Sequence, residues 1–500
     1  MLTAMWGLLN GLTIAITPTN LFYCLIGCLV GQLVGVLPGI GPVQATALLI
    51  PLSYGLEPTT AIIMLCGIYY GAMYGGTITS VLINTPGETA SVITCLDGYP
   101  LAQQGRAGVA LKVAAIGSFV GGVISTLALA LLGPSVADFA LKFGPSEQFA
   151  LMVFGMSMVI GLMGKSFIRG LVSLSFGLSL ALVGMDPISG AIRYSFGIND
   201  LVGGIEMVPL CMGLFGLSEL LVLVEDLNVT HKASALNSST LKKEELRPTT
   251  MAIIRGSFLG FFVGLIPGTG SAIPALISYS MEKSLSKHPD QFGKGAPEGV
   301  AGPETANNSY VGGAMIPLFT LGIPCSPTIA ILMGAFMMHG MIPGPTLFIT
   351  NPDVIWGTIA SMFVGNVILL ILNMPLAAAW AKLADIPNKM LCPAVLVISL
   401  IGAYSDSNSM FGVGVMLVAG VIGYVCKKLD IPLAPIILVF VLTDKMEQNL
   451  LQSIKIHSGV LGILTSPIAL GLLVGAAAVI AGSLIMEIKN KKSSLLEGDE

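Results

Sequence analysis

Four short interruptions rich in glycine and proline break the apolar sequence, and their residues are the best candidates for binding a ligand. They are LPGIGP (37–42), NTPGE (84–88), IPGTG (266–270) and GIPCS (322–326). Proline ends a helix and leaves backbone groups without partners, and hydrocarbon cannot hydrogen-bond to those groups. Each interruption should therefore face protein or water. For any one of them taken alone, a proline kink with local capping is the alternative.

Helices that restart after these interruptions would present N–H groups and the positive end of a helix dipole. Both features favour carboxylates. We therefore expect an anionic ligand to bind where the interruptions meet. The candidate substrate-binding residues are Pro38, Gly39, Gly41, Asn84, Thr85, Pro86, Gly87, Pro267, Gly268, Thr269, Gly270, Pro324, Cys325 and Ser326.

A second set of side chains near the interruptions could bind a cation that is coupled to the anionic ligand. Glu88 and Glu304 are carboxylates close to apolar sequence, where an ionisable group is a functional candidate by default. Since they would repel a carboxylate substrate, we expect them to act on a cation or a proton, or to orient a backbone loop, rather than to contact the substrate. The amide oxygens of Asn84, Asn307 and Asn308 suit sodium. The residues leave the choice between Na⁺ and H⁺ open.

The composition is that of a protein of the lipid bilayer. Of its 500 residues, 54% are hydrophobic and 10% are charged, whereas charged residues make up roughly a quarter of soluble domains. The net charge of −4 and the lack of a long basic block argue against nucleic-acid binding. The eight cysteines and four histidines lack the spacing of disulfide, metal or catalytic sites. We expect no enzyme activity and no cofactor or metal other than a coupling Na⁺ or H⁺.

The order of apolar and polar segments predicts two transmembrane halves, residues 1–224 and 251–487. A polar linker (225–250) joins them and a polar tail (488–500) follows. Basic residues in the linker and the tail place both in the cytoplasm by the positive-inside rule. The apolar runs fit roughly ten to twelve transmembrane segments. Basic flanks on both sides of residues 253–279 favour a re-entrant hairpin there over a kinked span.

The two halves resemble each other in sequence. VGVLPGIG (34–41) and VGLIPGTG (263–270) share five of eight residues, and Gly75–Gly76 and Pro86 match Gly312–Gly313 and Pro324 downstream. We predict an all-α polytopic membrane protein of two homologous, inverted repeats with broken or re-entrant helices. Corresponding breaks in two halves are typical of a secondary transporter's site near the membrane midplane. A channel or scaffold subunit is the alternative from another class.

Six blocks of sequence carry a family resemblance: GVLPGIGP, GIYYGAMYGGTITSVLINTPGE, DGYPLAQQGRAG, GLIPGTG, FGKGAPEGVAGPETANNSYVGG and LGIPCSPT. Together they resemble TctA, the large membrane subunit of tripartite tricarboxylate transporters. The resemblance implies ion-coupled uptake of a carboxylated solute across the bacterial inner membrane. It also implies two partners, a periplasmic solute-binding protein and a small four-span membrane subunit.

Three further expectations concern Cys325, Arg106 and the oligomeric state. Cys325 stands where the family usually has glycine, so a side chain there could narrow the pocket. A permease for a different anionic metabolite is therefore the alternative to a tricarboxylate permease. Arg106 could meet the substrate, but a position at an interface is favoured. A homodimer is expected, as for other carriers with re-entrant hairpins.

Overall fold

A computed structural model describes residues 2–37, 41–163, 166–186, 188–225, 240–383, 388–457 and 459–497. Within them the chain forms twenty α-helices. Those of the first half are α1 (Leu2–Ala15), α2 (Pro18–Val36), α3 (Pro42–Leu49), α4 (Pro58–Ile83), α5 (Ser91–Gln103), α6 (Ala107–Ala140), α7 (Pro145–Met163), α8 (Phe167–Ala181), α9 (Met207–Cys211) and α10 (Ser218–Glu225). Those of the second half are α11 (Lys243–Gly264), α12 (Ala272–Leu285), α13 (Glu298–Leu321), α14 (Pro327–Met338), α15 (Leu347–Thr350), α16 (Pro352–Leu383), α17 (Asn388–Ser407), α18 (Met410–Lys428), α19 (Ala434–His457) and α20 (Pro467–Glu497).

The remaining regular elements are short. A π-helical segment, Met212–Leu217, joins α9 to α10. Two-residue strands β1 (Gly184–Met185) and β2 (Ile192–Arg193) form an antiparallel pair. Short 3₁₀ helices cover Ile50–Ser53, Asn199–Leu201, Pro289–Gln291 and Val460–Thr465.

Seven helices of the described chain are long and apolar enough to cross a membrane: Pro18–Val36, Pro58–Ile83, Ala107–Ala140, Met207–Glu225, Pro352–Met374, Met410–Lys428 and Pro467–Ile485. This composition confirms the predicted all-α polytopic membrane fold. Helix α13 does not reach this hydropathy because its first half carries acids and amides, yet its residues from Glu298 to Thr320 are buried. Together with α4, also buried over nearly its whole length, it forms the centre of the molecule.

Glycines fix the packing of α2 against α4. A Cβ atom added at Gly27, Gly31 or Gly35 would lie within 2.3 Å of the carbonyl oxygen of Met64, Ile68 or Ala72, respectively. Only glycine lets two backbones approach so closely. The residue numbers rise together along both helices, so α2 and α4 are parallel and begin on the same side. The chain between them must therefore return through α3, which makes α2–α3 a re-entrant hairpin.

The second half repeats this packing. A Cβ atom at Gly256, Gly260 or Gly264 of α11 would lie within 2.6 Å of the carbonyl oxygen of residue 302, 306 or 310 in α13. These helices are parallel as well, so α11–α12 is the re-entrant hairpin predicted at 253–279. Gly35 packs against Gly75, and Gly264 against Gly313. The equivalent residues are thus Gly75 and Gly313, one position from the pairing that the sequence suggested.

The two halves run in opposite directions. Helix α5 is parallel to α4: Thr94 of α5 and Thr77 of α4 both donate to Glu304, and farther along both helices Gly98 packs on Val81. Helix α6 follows α5 after three residues and runs back. Helix α6 is parallel to α13, because Gly117 packs on Thr305 and Gly312 packs on Ser125. Helices α4 and α13 are therefore antiparallel, which is the geometry expected of inverted repeats. That the halves are homologous, and the domain boundaries, stay predictions; residues 226–239 and 498–500 lie outside the described chain.

Candidate functional site

The four interruptions meet around one cavity of about 720 Å³, which we call the central cavity. Its wall contains one stretch from each interruption, residues 41–44, 86–89, 269–273 and 326–328. Tyr69, Glu219, Lys427 and residues 430–434 complete much of the remaining wall. Each break lies between two consecutive helices: α2 and α3, α4 and α5, α11 and α12, or α13 and α14. The antiparallel packing of the two halves brings these distant stretches together.

Five helices begin at or beside this cavity: α3, α5, α12, α14 and α19, whose first residue is the wall residue Ala434. Helices α3 and α14 start with proline at their first position, Pro42 and Pro327, where a missing N–H costs nothing. Ser326 caps α14 by accepting a hydrogen bond from the Ile329 N–H at 3.3 Å. Helix α12 begins at Ala272 in the wall, and α5 begins one residue before Val92, another wall residue. Converging N-termini create a positive potential that suits an anion.

About half of the predicted substrate-binding residues line the cavity. They are Gly41, Pro86, Gly87, Thr269, Gly270 and Ser326. Thr85, Pro267, Gly268, Pro324 and Cys325 are absent from the lining, and Pro38 and Gly39 lie outside the described residues. Asn84 is also absent from the wall: it ends α4 in the left-handed conformation (φ 55°), with an exposed side chain. The predicted roles of Asn84 in binding a substrate or a coupling ion stay predictions.

Cys325 lies in the protein interior and not at the cavity wall. Its side chain is buried and does not line the wall, so it does not narrow the cavity in the way the sequence suggested. Its carbonyl oxygen accepts hydrogen bonds from the Gly268 N–H (3.1 Å) and the Tyr310 hydroxyl (2.9 Å). The breaks at 266–270 and 322–326 are therefore tied to each other through their backbones.

Gly87 also allows its segment to pack closely against α4 and α2. A Cβ atom there would lie 2.4 Å from Gly76 Cα and 2.6 Å from the Gly35 carbonyl oxygen. The second break thus turns back from Asn84 and packs on α4 and α2. A larger side chain at position 87 would disturb this packing before it reached the cavity.

A buried polar cluster adjoins the cavity and contains most of the predicted cation-coupling residues. Glu88, which lines the wall, accepts a 2.5 Å hydrogen bond from Asn307 Nδ2. Asn307 Oδ1 is buried and has no hydrogen-bond partner among the residues that the structure describes. Glu304 accepts hydrogen bonds from the hydroxyls of Thr77, at 2.8 Å, and Thr94.

The Asn308 amide nitrogen does not bond to Glu88. It donates instead to Ser118 Oγ (2.8 Å) and to the Glu304 carbonyl oxygen (3.1 Å). Among the described residues neither Glu88 nor Glu304 forms an ion pair. No group of three histidine, cysteine or acidic side chains in that part of the chain could hold a metal ion.

Comparison with known proteins identifies the family. The model of the tripartite tricarboxylate transporter TctA family matches residues 21–438. The chain belongs to the TctA family. An Agrobacterium vitis relative, described as "Uncharacterized 52.8 kDa protein in TAR-I ttuC' 3'region", is 43% identical over 487 residues, 97% of each chain. Another from the same organism, "Uncharacterized protein in TAR-II ttuC' 3'region", is 42% identical over 243 residues, 48% of this chain and all of the relative. No solved structure matches.

Membership of the TctA family makes this chain a multi-pass membrane component of a transport system with partner subunits. The match runs from α2 into α19 and so includes all four breaks. It also includes charged wall residues that the sequence did not single out. Lys427, at the end of α18, forms an ion pair with Glu219 of α10. Asp430 forms one with Arg169 at 3.2 Å.

These wall charges had only a weak signal in the sequence, a pair of lysines that ends an apolar run. Lys428, the neighbour of Lys427, instead pairs with Glu225 outside the cavity lining. Arg106 forms a two-pronged ion pair with Glu245 at the start of α11 and does not line the cavity. It joins the starts of two helices, and the interfacial position that the sequence favoured stays a prediction.

Proposed function

We propose that this TctA-family protein takes up a tricarboxylate or a related carboxylate across the bacterial inner membrane, as the large permease subunit of a binding-protein-dependent system. The observation that supports this proposal most is the central cavity, where helix starts from both halves meet. Backbone N–H groups of α3, α12 and α14 would hold the carboxylates. Their fixed orientation gives binding without a cluster of arginines.

The charges of the wall support coupling to a cation. Three acids, Glu88, Glu219 and Asp430, line the cavity together with one base, Lys427. Glu219 and Asp430 have basic partners, but Glu88 is buried and has none among the described residues. A buried carboxylate needs a cation or a proton, and more so when an anion binds nearby. Asn307 Oδ1, a buried oxygen that no described residue hydrogen-bonds, is suited to join Glu88 in holding Na⁺.

Lys427 would recognise a second carboxylate of the substrate. Its ammonium group lies on the wall and pairs with Glu219, whose side chain is only 21% exposed. A substrate with two or more carboxylates could bind the helix starts through one carboxylate group and displace Glu219 from Lys427 with a second carboxylate group. Monocarboxylates would lack this contact.

The partners follow from the family. We propose that a periplasmic solute-binding protein delivers the substrate and that a small four-span membrane subunit completes the permease. We also propose a homodimer in the membrane.

Reconstituted uptake tests the proposed function. The protein, its small subunit and its binding protein would be placed in liposomes and given radiolabelled citrate with imposed Na⁺ or H⁺ gradients. We expect saturable accumulation that collapses when the gradient is removed. A leak that does not saturate, or uptake that ignores both gradients, would overturn the proposal of a coupled carrier.

A further inference from the structure

A second cavity, of about 350 Å³, lies on the other side of the break between α13 and α14. We call it the Lys445 cavity. Its wall includes Gln148, Ile323, Lys445, Gln448, Asn449 and Gln452.

The segment 322–326 separates the two cavities. Ile323 lines the Lys445 cavity, whereas Ser326 lines the central cavity, and Pro324 and Cys325 between them line neither. Helix α19 shows the same division: its start, Ala434, belongs to the central cavity, and Gln448 belongs to the Lys445 cavity. Fourteen residues of helix extend roughly 21 Å. The two cavities therefore lie toward opposite ends of the helix bundle.

The electrostatics of the two walls differ. The described wall of the Lys445 cavity contains one basic side chain and no acid, whereas the central cavity has three acids. Lys445 forms no ion pair with any described residue; its ammonium group donates to the Pro343 carbonyl oxygen at 3.1 Å. Glu447, two residues farther along α19, is already held by Arg193 at 3.0 Å.

Three other polar residues of this wall also suit an anion. Gln448 and Gln452 bring side-chain amide donors to the cavity, and Thr346 brings a hydroxyl. A half-buried ammonium group with neutral donors around it binds carboxylates through charge-assisted hydrogen bonds.

We propose that the Lys445 cavity is a second carboxylate-binding site, which holds the substrate on the side of the 322–326 segment opposite to the central cavity. The ligand's identity rests on the proposed function. In this account the segment is the barrier that the substrate passes, with Lys445 on one side and the helix starts on the other. Because Lys445 lies against Gly322, where α13 ends, a purely structural role in capping that helix is the competing explanation.

The first test compares Lys445→Gln and Lys445→Arg with the matched control Lys455→Gln, which removes an exposed charge from the same helix. Citrate uptake would be measured against citrate concentration at saturating binding protein. We expect Lys445→Gln to raise KM roughly tenfold, the loss of one charge-assisted hydrogen bond, with little change in the maximal rate. Lys445→Arg should keep most of the affinity. An unchanged KM in folded Lys445→Gln, or an equal rise in Lys455→Gln, would overturn the inference.

A labelling experiment covers the case in which Lys445→Gln fails to fold. Gln448→Cys and Thr89→Cys place thiols in the walls of the Lys445 and central cavities, and seven of the eight native cysteines are buried. With the parent protein as the blank, a membrane-impermeant maleimide should label the two variants from opposite faces, and citrate should slow labelling at position 448. Labelling from one face, or no protection at 448, would contradict the second site. Absence of citrate uptake by the parent protein would instead count against the proposed function.

Discussion

Asn307 differs from its neighbour Asn308 in its contacts. Its amide nitrogen donates to Glu88, and its buried amide oxygen has no hydrogen-bond partner among the described residues. The sequence indicated both residues as candidates for cation coupling, since both are amides before the same break. Asn308 donates to Ser118 and to its own helix, so the structure distinguishes the two amides.

We therefore predict that Asn307→Ala impairs coupling more than Asn308→Ala does. Removal of the Asn307 side chain takes away both a donor to Glu88 and a candidate ion ligand. The cation concentration for half-maximal uptake should rise at least roughly tenfold, the equivalent of one lost charge-assisted contact. Citrate uptake against Na⁺ concentration and pH, with expression and monodispersity as controls, provides the measurement. Equal ion dependence in both variants would show that Asn307 is not a coupling residue.

Lys427 and Lys428 offer a matched pair at the same helix end. Both form ion pairs with glutamates, but only Lys427 lines the central cavity. We predict that Lys427→Gln raises KM for citrate roughly tenfold and narrows the preference for tricarboxylates over monocarboxylates, while Lys428→Gln leaves both near normal. Competition of citrate uptake by a monocarboxylate and a dicarboxylate measures the preference. If both variants behave alike, the wall lysine does not recognise substrate.

At the scale of elements, glycine stripes hold the two hairpins in register. A Cβ atom at Gly260 would lie 2.2 Å from the Ala306 carbonyl oxygen, whereas one at Gly414 in α18 would meet nothing within 4 Å. We predict that Gly260→Ala destabilises the protein by about 1–3 kcal/mol through overpacking, while Gly414→Ala is neutral or slightly stabilising. Thermal unfolding in detergent measures both. A normal melting temperature for Gly260→Ala would show that α11 and α13 do not pack as closely as described.

Much of this architecture could be predicted from the sequence because proline and glycine act locally. The breaks at 84–88, 266–270 and 322–326 are where residue type alone ends a helix, and the shared 34–41 and 263–270 motif indicated the two halves. The wall contributed by Lys427, Glu219 and Tyr69 could not be predicted. Those residues reach the cavity through packing between distant helices, which no local pattern encodes. The inward side-chain direction of Cys325 could not be predicted either, since its backbone is held by hydrogen bonds from the Gly268 N–H and the Tyr310 hydroxyl, which come from distant positions in the sequence.

At the scale of the whole molecule, two cavities lie on opposite sides of one short segment. The central cavity has three acids, of which Glu88 has no basic partner in the described chain, and the Lys445 cavity has a base without an acidic partner in its described wall. In the proposed transport cycle, a substrate anion leaves the Lys445 cavity and enters the central cavity only together with its coupling ion. Movement of the anion would then be tied to movement of the cation.

The most direct test of this account is to locate bound citrate in an experimental structure of the complete complex determined with Na⁺ at neutral pH. We predict carboxylate density in the central cavity against the first turns of α3, α12 and α14, with a further carboxylate near Lys427. Citrate bound elsewhere, with the central cavity left empty at saturating citrate and Na⁺, would contradict the account.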